Sequence, residues 1–193
     1  MLINESGLIR AIKRAYKGGG YVVANYGDVI SIYTDNWYIQ VSHALLARKV
    51  LATIVEHMGV IPETATPLSI LKDEEPQIVL QDVTASDMAH WRGGERGEEV
   101  TMATVIMQGY QIFQPPGGGA CWGVPLYLLD MIERDVVEHT GADVVDNNRL
   151  LWEADGEAVV IGTVRKARSS WAKEWERAVW TALEGVDLHR EEK

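Results

Sequence analysis

The second half of this sequence repeats the pattern of its first half at an offset of 82 residues. Twelve of the 66 positions from Gly20 to Ala85 are identical to the residue 82 positions later, against about 4 identities expected from ordinary residue frequencies. The clearest match places the sequence Glu-His-Met-Gly at 56–59 on Glu-His-Thr-Gly at 138–141. The offset therefore predicts a chain made of two similar units.

The hydrophobic periodicity gives each unit hairpins and a helix. Alternation of apolar and polar residues predicts strands in the first unit at 21–25, 29–33, 37–41, 68–71 and 77–83. Apolar residues at helical spacing predict a helix between Ser42, a favourable N-cap, and Gly59, which stops it. In the second unit the same signals predict strands at 100–107, 110–114, 149–153 and 158–164, and a helix at about 126–139.

Three further helices flank these units. An amphipathic helix is predicted at 6–17, and a short helix at 84–92 is followed by the glycine-rich segment 93–97, which is the best candidate for a linker. A last helix is predicted at 170–183. The expected fold class is therefore α+β, with antiparallel hairpins in two units, residues 1–92 and 93–193.

The last helix carries a stripe of apolar residues at Trp171, Trp175, Ala178 and Ala182, which is typical of a buried face. Trp180 lies about half a turn from Trp171 around the helix, so we expect it to be exposed. An exposed tryptophan and unpaired strand edges favour association, and the sequence thus predicts a homo-oligomer with Trp180 at an interface.

Composition narrows the cellular setting. No run of about 20 apolar residues could span a membrane, and the first 16 residues lack the order of a signal peptide, so we expect a cytoplasmic protein. The formal charge of −10 argues against a uniformly basic nucleic-acid coat, although it can hide a local basic face. Cys121 is the single cysteine, which excludes an internal disulfide and a cysteine-rich zinc site.

Such a basic face is present on the first helix. The segment contains one acidic residue, Glu5, and four cationic residues, which gives it a charge of +3. The cations are Arg10, Lys13, Arg14 and Lys17. Positive side chains at this spacing can follow the phosphates of a nucleic acid. An ordinary solvated helix face is the alternative interpretation.

Motifs for catalysis and for cofactors are weak. Cys121 follows the glycine-rich loop 115–119 and lies shortly before a predicted helix. The N-terminus of a helix could activate a thiol. A buried structural cysteine is the simpler interpretation. The histidines form no chelating pair on one helix, and Asp146, Asp155 and Glu157 fit a solvated acidic turn better than a carboxylate site. We therefore expect no cofactor, no metal and no enzymatic activity.

Two short motifs and the order of elements resemble DNA sliding clamps, the processivity factors of polymerases. The sequence GDVISIYTD at 27–35 is similar to a strand pair of bacterial-type clamps, and GVPLYLLDMI at 123–132 is similar to the Val-Pro opening of their second helix. The resemblance implies a ring whose inner helices face duplex DNA and whose outer sheets join edge to edge. It makes Arg10, Lys13, Arg14 and Lys17 candidates for the inner face, with Arg48 and Lys49 beside them.

Two alternatives stay open. Residues 122–160 contain nine acidic residues and two arginines, a charge of −7, which favours binding to a basic protein, for instance as an inhibitor that occupies a nucleic-acid site. A cysteine hydrolase that uses Cys121 is the remote alternative.

Overall fold

A computed structural model describes residues 1–79, 84–94, 96–146 and 148–189, and for 84–86 it describes the backbone only. The helices are α1 Glu5–Lys17, α2 Arg48–Met58, α3 Thr84–Gly93, α4 Leu126–Leu129, α5 Arg134–His139 and α6 Glu174–Glu184. The strands are β1 Tyr21–Asn25, β2 Val29–Tyr33, β3 Trp37–Ser42, β4 Leu68–Ile70, β5 Gln77–Ile78, β6 Glu99–Met107, β7 Tyr110–Gln114, β8 Trp122–Pro125, β9 Ala142–Val145, β10 Arg149–Ala154 and β11 Glu157–Gly162. The α+β class is confirmed. No helix of the described residues has the length and apolar character needed to cross a membrane.

The described strands form one antiparallel sheet in the order β5-β4-β1-β2-β3-β11-β10-β9-β6-β7-β8. The first half of the sheet has the order β5-β4-β1-β2-β3. The second half has the corresponding order β11-β10-β6-β7-β8, with β9 inserted between β10 and β6. Apart from β9, each second-half strand overlaps the segment that the 82-residue offset assigns to it. A common origin of the two halves remains a prediction, because shared strand order alone does not establish it.

The two halves share a single sheet and a single main core. Strand β3 pairs with β11 over five residues, from Val41 opposite Glu157 to Trp37 opposite Ile161. Buried residues from both halves form one apolar cluster beneath α1, α2, α4 and α5. The predicted boundary between residues 92 and 93 divides the sequence into two units. It does not divide the sheet, because strands from both units belong to one continuous layer.

Helices cover both faces of the sheet, as the alternation within β7 shows. Phe113 points into the main core below α1, whereas its neighbour Ile112 points to the opposite face and packs with Trp180 of α6. On that same opposite face, Met88 and Trp91 of α3 pack on the middle strands. Helix α6 is thus separated from α1 and α2 by the thickness of the sheet.

The two ends of the sheet differ. Strand β5 has two residues, and positions 80–83 of the predicted strand 77–83 lie outside the described residues. At the other end, Gly123 of β8 exchanges two backbone hydrogen bonds of 2.9 Å with Val164, which follows β11. The second half of the sheet therefore curves until β8 meets its own chain, and this edge is already occupied at Gly123.

The single helix predicted at 126–139 is wrong, since the segment is divided into α4 and α5. Residues 130–133 instead run beside the N-terminus, where the Asn4 amide donates to Met131 O and the Glu133 amide donates to Leu2 O, each at 2.8 Å. These bonds come from residues about 130 positions away, so helical periodicity could not reveal them. Strands β8 and β9 were also missed, and α2 begins at Arg48 rather than after Ser42.

Candidate nucleic-acid interface

Helix α1 carries four of the predicted DNA-binding residues, and a local cap sets its start. The Asn4 side chain accepts a hydrogen bond from the Gly7 amide at 2.8 Å, which satisfies one of the free amides at the N-terminus. Leu8, Ala11 and Ile12 are buried against the sheet. The opposite side of the helix is exposed and presents Arg10, Lys13, Arg14 and Lys17.

Helix α2 lies beside α1 and runs in the same direction. At the N-terminal ends, Lys49 Nζ lies 3.2 Å from Glu5 Oε1, and at the C-terminal ends the rings of Tyr16 and His57 stack with centroids 4.0 Å apart. Arg48 and Lys49 are both exposed. The structure thus brings the six predicted residues to the solvent side of two adjacent helices, and we call Arg10, Lys13, Arg14, Lys17, Arg48 and Lys49 the basic face.

Three residues of the basic face have a partner on the protein. Arg10 forms an ion pair with Asp130 at 3.1 Å, Lys49 pairs with Glu5, and the Arg14 guanidinium lies 4.2 Å from the centre of the Tyr127 ring. Both groups of the Arg10–Asp130 pair are more than half exposed, so the pair is weak and can exchange.

The other three cations of the basic face, Lys13, Lys17 and Arg48, form no ion pair within the described ranges. Their charges remain available for a ligand.

An acidic segment borders the basic face. A Cβ atom at Gly7 would lie 1.5 Å from the Asp130 carbonyl oxygen, so the backbones of α1 and α4 touch at this point. From there the connection 130–133 and α5 present mainly carboxylates, with Arg134 paired to Glu138. The acidic residues of this segment are Asp130, Glu133, Asp135 and Glu138. The helical layer therefore has a basic half and an acidic half.

His57 joins the C-terminal ends of α1 and α2 to the start of β1. Its Nδ1 atom lies 3.0 Å from the Tyr21 hydroxyl, and its ring stacks on Tyr16. Burial lowers the pKa of His57, with a smaller lowering from Lys13 that the Glu56 charge opposes. Burial also raises the pKa of Tyr21. These groups hold the two helices together and carry no charge of their own at neutral pH.

A groove of about 520 Å³ lies at the C-terminal end of α1, where the sequence has three consecutive glycines. Gly18 ends α1, since its amide donates to the carbonyls of Arg14 and Ala15. The groove also contains three carboxylates, Asp35, Glu74 and Glu75. Their charge disfavours a phosphate there, in agreement with the interpretation of these glycines as a helix stop.

Cys121 is buried, as the simpler interpretation expected. It immediately precedes β8, which separates it from α4 and its start at Leu126, so the thiol is not held at that helix N-terminus. Burial is the main cause that raises the pKa of the thiol to about 11, and the Glu184 charge adds to it. The Sγ atom lies 3.5 Å from the Gln114 side-chain nitrogen. A protonated, enclosed thiol does not favour nucleophilic catalysis.

The carboxylates considered from the sequence are not assembled into one site. Asp146 precedes β10 and Asp155 follows it, so they lie at opposite ends of that strand. Glu157 is 3% exposed and accepts hydrogen bonds from the Leu2 and Ile3 amides, at 2.5 and 3.3 Å. Its role is to anchor the N-terminal segment.

One group on α5 has metal-ligand chemistry that the sequence analysis did not single out. The ligand atoms of Asp135, Glu138 and His139 lie within 4.8 Å of one another, and all three residues are exposed. Glu138 is already paired with Arg134, and His139 Nδ1 lies 2.9 Å from the Asp135 carbonyl oxygen. Exposed acidic groups of this kind occur without a metal, so the cluster does not define a centre.

The expected exposure of Trp180 is wrong. Trp180 is 0% exposed and packs on Ile112 and Cys121, whereas Trp171 and Trp175 are 69% and 56% exposed. The two sides of α6 are therefore reversed from the prediction. The sheet offers α6 a surface lined by small residues, including Gly123, whose added Cβ would meet the Trp180 ring at 2.5 Å. One large ring fills that surface, and the longer stripe remains outside.

Comparisons with known proteins identify no relative. No protein-family model matches the chain, and neither a curated protein nor a solved structure is significantly similar to it.

Proposed function

We propose that this protein is a non-enzymatic, clamp-like DNA-associated factor that holds duplex DNA against the basic face. The observation that supports this most directly is the parallel packing of α1 and α2, which collects six exposed cations on one side of a protein whose total charge is −10. Because the rest of the molecule is acidic, a polyanion is repelled elsewhere and attracted here.

Contacts of this kind are made with phosphates rather than with bases. Lysine and arginine side chains on the exposed sides of two helices can follow a phosphate backbone without entering a groove. Binding should thus depend little on sequence and strongly on salt, with each neutralised phosphate adding about 0.9 to the slope of log affinity against log salt. The acidic segment at residues 130–138 would direct the duplex toward the α2 side.

The clamp-like part of the proposal requires a ring of several copies. The repeated strand order supports a molecule built from two similar units, as a ring of alternating units needs. An edge-to-edge contact at β8 would have to replace or avoid the Gly123–Val164 pairing. DNA binding by the basic face does not depend on ring closure, so the two parts can be tested separately.

A charge-neutralising variant tests the DNA-binding part. In Lys13→Gln/Lys17→Gln/Arg48→Gln, three unpaired cations are removed, and binding to a fluorescent duplex of mixed sequence is followed by anisotropy across a salt series. The proposal predicts that affinity falls at least about tenfold at low salt and that the salt slope decreases by about 2.7.

A control variant removes three exposed cations that lie outside α1, α2 and the acidic segment, Arg96→Gln/Arg168→Gln/Lys173→Gln, with the same change in net charge. It should bind nearly as the wild type does. Equal losses in both variants would mean that net charge alone governs binding, and unchanged binding in the first variant would refute the role of the basic face.

A basic protein partner is the second candidate, because Asp130, Glu133, Asp135 and Glu138 all lie within residues 130–138, on the connection after α4 and on α5. Titration with a fluorescent lysine-rich peptide tests it. Under this candidate, Asp135→Asn/Glu138→Gln weakens peptide binding, while Glu74→Gln/Glu75→Gln, the same charge change at a distant turn, does not. A wild-type protein that binds the peptide but not DNA would favour this candidate over the first.

A further inference from the structure

A row of exposed apolar side chains runs along the outer side of α6 and the turn before it. Trp171, Trp175, Ala178 and Ala182 follow one another at spacings of four, three and four residues, and we call these four residues the α6 stripe. Trp175, Ala178 and Ala182 lie within α6 at the spacing of a helix seam that packs against another helix, whereas Trp171 lies in the turn before α6 and is separated from it by the extended residue Lys173. Val179, 41% exposed, flanks the stripe.

The protein holds α6 in this orientation through its other side. Trp180 is fully buried against the sheet, and Lys166 Nζ forms an ion pair of 2.9 Å with Glu176 Oε1, in which both side chains are largely enclosed. Gln114 donates hydrogen bonds to the carbonyls of Leu183 and Val186 just at and beyond the C-terminal end of the helix. The α6 stripe therefore cannot turn inward without breaking these contacts.

The exposed apolar area is large for a single chain. Taking about 250 Å² for a tryptophan, the 69% and 56% exposure of Trp171 and Trp175 amounts to about 300 Å². Neighbouring valines and alanines bring the patch to about 500 Å², within the range in which the largest patch on a monomer is often functional. A stable interface covers about 800 Å² on each partner, so the patch supplies more than half of one.

The α6 stripe is complementary to itself. Its bulky residues are at the N-terminal half and its small residues at the C-terminal half. When two copies of α6 pack antiparallel about a two-fold axis, Trp175 of one lies opposite Ala178 of the other, and Trp171, in the turn before the helix, comes to the end of the partner helix that carries Ala182. Large side chains then meet small ones along the entire seam, and the two-fold axis repeats each contact and closes the assembly at two copies.

Charges beyond the ends of the helix agree with this arrangement. Arg168 precedes α6 and Asp187 follows it; both are exposed, and Asp187 also contacts His189 Nδ1 of its own chain at 2.8 Å. In an antiparallel pair Arg168 of each copy comes near Asp187 of the other. The helix dipoles also oppose one another, which favours the antiparallel direction over the parallel one.

We propose that the α6 stripe binds a second copy of this chain as a two-fold, antiparallel helix pair. The basic face lies across the sheet from α6, so the dimer leaves both basic faces open. This inference does not rest on the proposed DNA binding, and either can fail without the other. It competes with the ring of the clamp-like proposal, because a two-fold pair closes at two copies.

Sedimentation velocity or light scattering of the full chain across a concentration series gives the first test. The mass should rise from 21.5 kDa toward twice that value as concentration increases. A mass that stays at one copy up to several hundred micromolar would overturn the inference. A stable trimer or larger ring would overturn it as well, because a two-fold contact closes at two.

Two double variants test the register of the pair. Trp171→Ala/Trp175→Ala has small residues along the entire seam, and Ala178→Trp/Ala182→Trp has large ones. Each variant alone should dimerise at least about 30-fold more weakly than the wild type. The alanine variant loses the contacts of the tryptophans, and in the tryptophan variant large side chains clash across the seam. Mixed in equal amounts they match large against small at all four positions, so the mixture should recover the mass of two copies.

The controls separate this contact from general stickiness and from misfolding. Val60→Ala/Ile106→Ala removes two exposed apolar side chains elsewhere and should leave the dimer unchanged. All altered side chains are exposed, so circular dichroism spectra should match the wild type. A mixture that remains at the mass of one copy, or an all-alanine seam that dimerises normally, would contradict the antiparallel pair.

Discussion

Tyr16 and His57 stack face to face, with ring centroids 4.0 Å apart and an angle of 8° between the planes. This contact joins the last turn of α1 to the last turn of α2, and the Tyr21 hydroxyl fixes the His57 ring from the sheet below. The spacing of the two basic helices therefore depends on a neutral aromatic cluster. Its response to pH can be measured.

Stability should decrease in acid partly through His57. Burial lowers the pKa of His57 in the folded protein, so between the folded and unfolded pKa values the unfolded chain binds more protons. The stabilising contribution of neutral His57 is complete above about pH 6.5, the unfolded value, and is lost as pH falls through the lower folded pKa. The facing groups are Tyr16, Tyr21, Glu56 and Lys13.

Thermal melting of the wild type and of His57→Phe between pH 7.5 and 4.5 checks this expectation. Phenylalanine keeps a stacking ring but cannot be protonated, and carboxylates elsewhere titrate equally in both proteins. The amount by which the melting temperature of the wild type exceeds that of His57→Phe should decrease toward low pH. A difference in melting temperature that stays constant across the series would show that His57 does not contribute in this way.

Gly7→Ala should destabilise the protein although alanine is the better helix former. An added Cβ at Gly7 would lie 1.5 Å from the Asp130 carbonyl oxygen, so α1 would have to move away from α4. We expect a loss of at least about 2 kcal/mol in the free energy of unfolding, measured by urea denaturation. Gly19→Ala, where a Cβ meets no atom within 4 Å, should change stability by less than about 1 kcal/mol. Similar effects of the two substitutions would contradict the close contact.

Much of the fold was predictable because it depends on local patterns. The alternation in β1, β2 and β7 and the turn residues between strands identified these strands with their observed ends. The amphipathic pattern of α1 likewise predicted which side is exposed. The four cations of that helix are at the surface because Leu8 and Ile12 occupy the other side.

The parts that were missed depend on distant residues. Segment 126–139 has helical spacing throughout, yet Asn4 and Glu133 make backbone bonds between the N-terminus and residues 130–133 that divide the helix. The orientation of α6 was wrong because two sides of that helix contain tryptophan. Periodicity reveals an apolar side, but only the shape of the sheet around Gly123 decides which side fits against it.

Glu157→Ala should lower the free energy of unfolding more than removal of a surface carboxylate does. Glu157 is buried and accepts hydrogen bonds from the Leu2 and Ile3 amides, so alanine leaves two enclosed donors without an acceptor. We expect a loss of about 3 kcal/mol in the free energy of unfolding. Glu157→Gln retains one acceptor and should lose less, while exposed Glu74→Ala should lose little. Equal stability of Glu157→Ala and Glu74→Ala would show that the N-terminal segment is not anchored there.

Cys121 should be unreactive in the folded protein. Burial raises the pKa of its thiol to about 11, and the thiolate that reacts with disulfide reagents is therefore scarce at neutral pH. Labelling with an aromatic disulfide reagent at pH 7.5 should be at least about 100-fold slower in buffer than in denaturant. Cys121→Ser, which cannot be labelled, supplies the blank and should bind DNA as the wild type does. Rapid stoichiometric labelling of the native protein would instead indicate an accessible, activated thiol and would restore the cysteine hydrolase alternative.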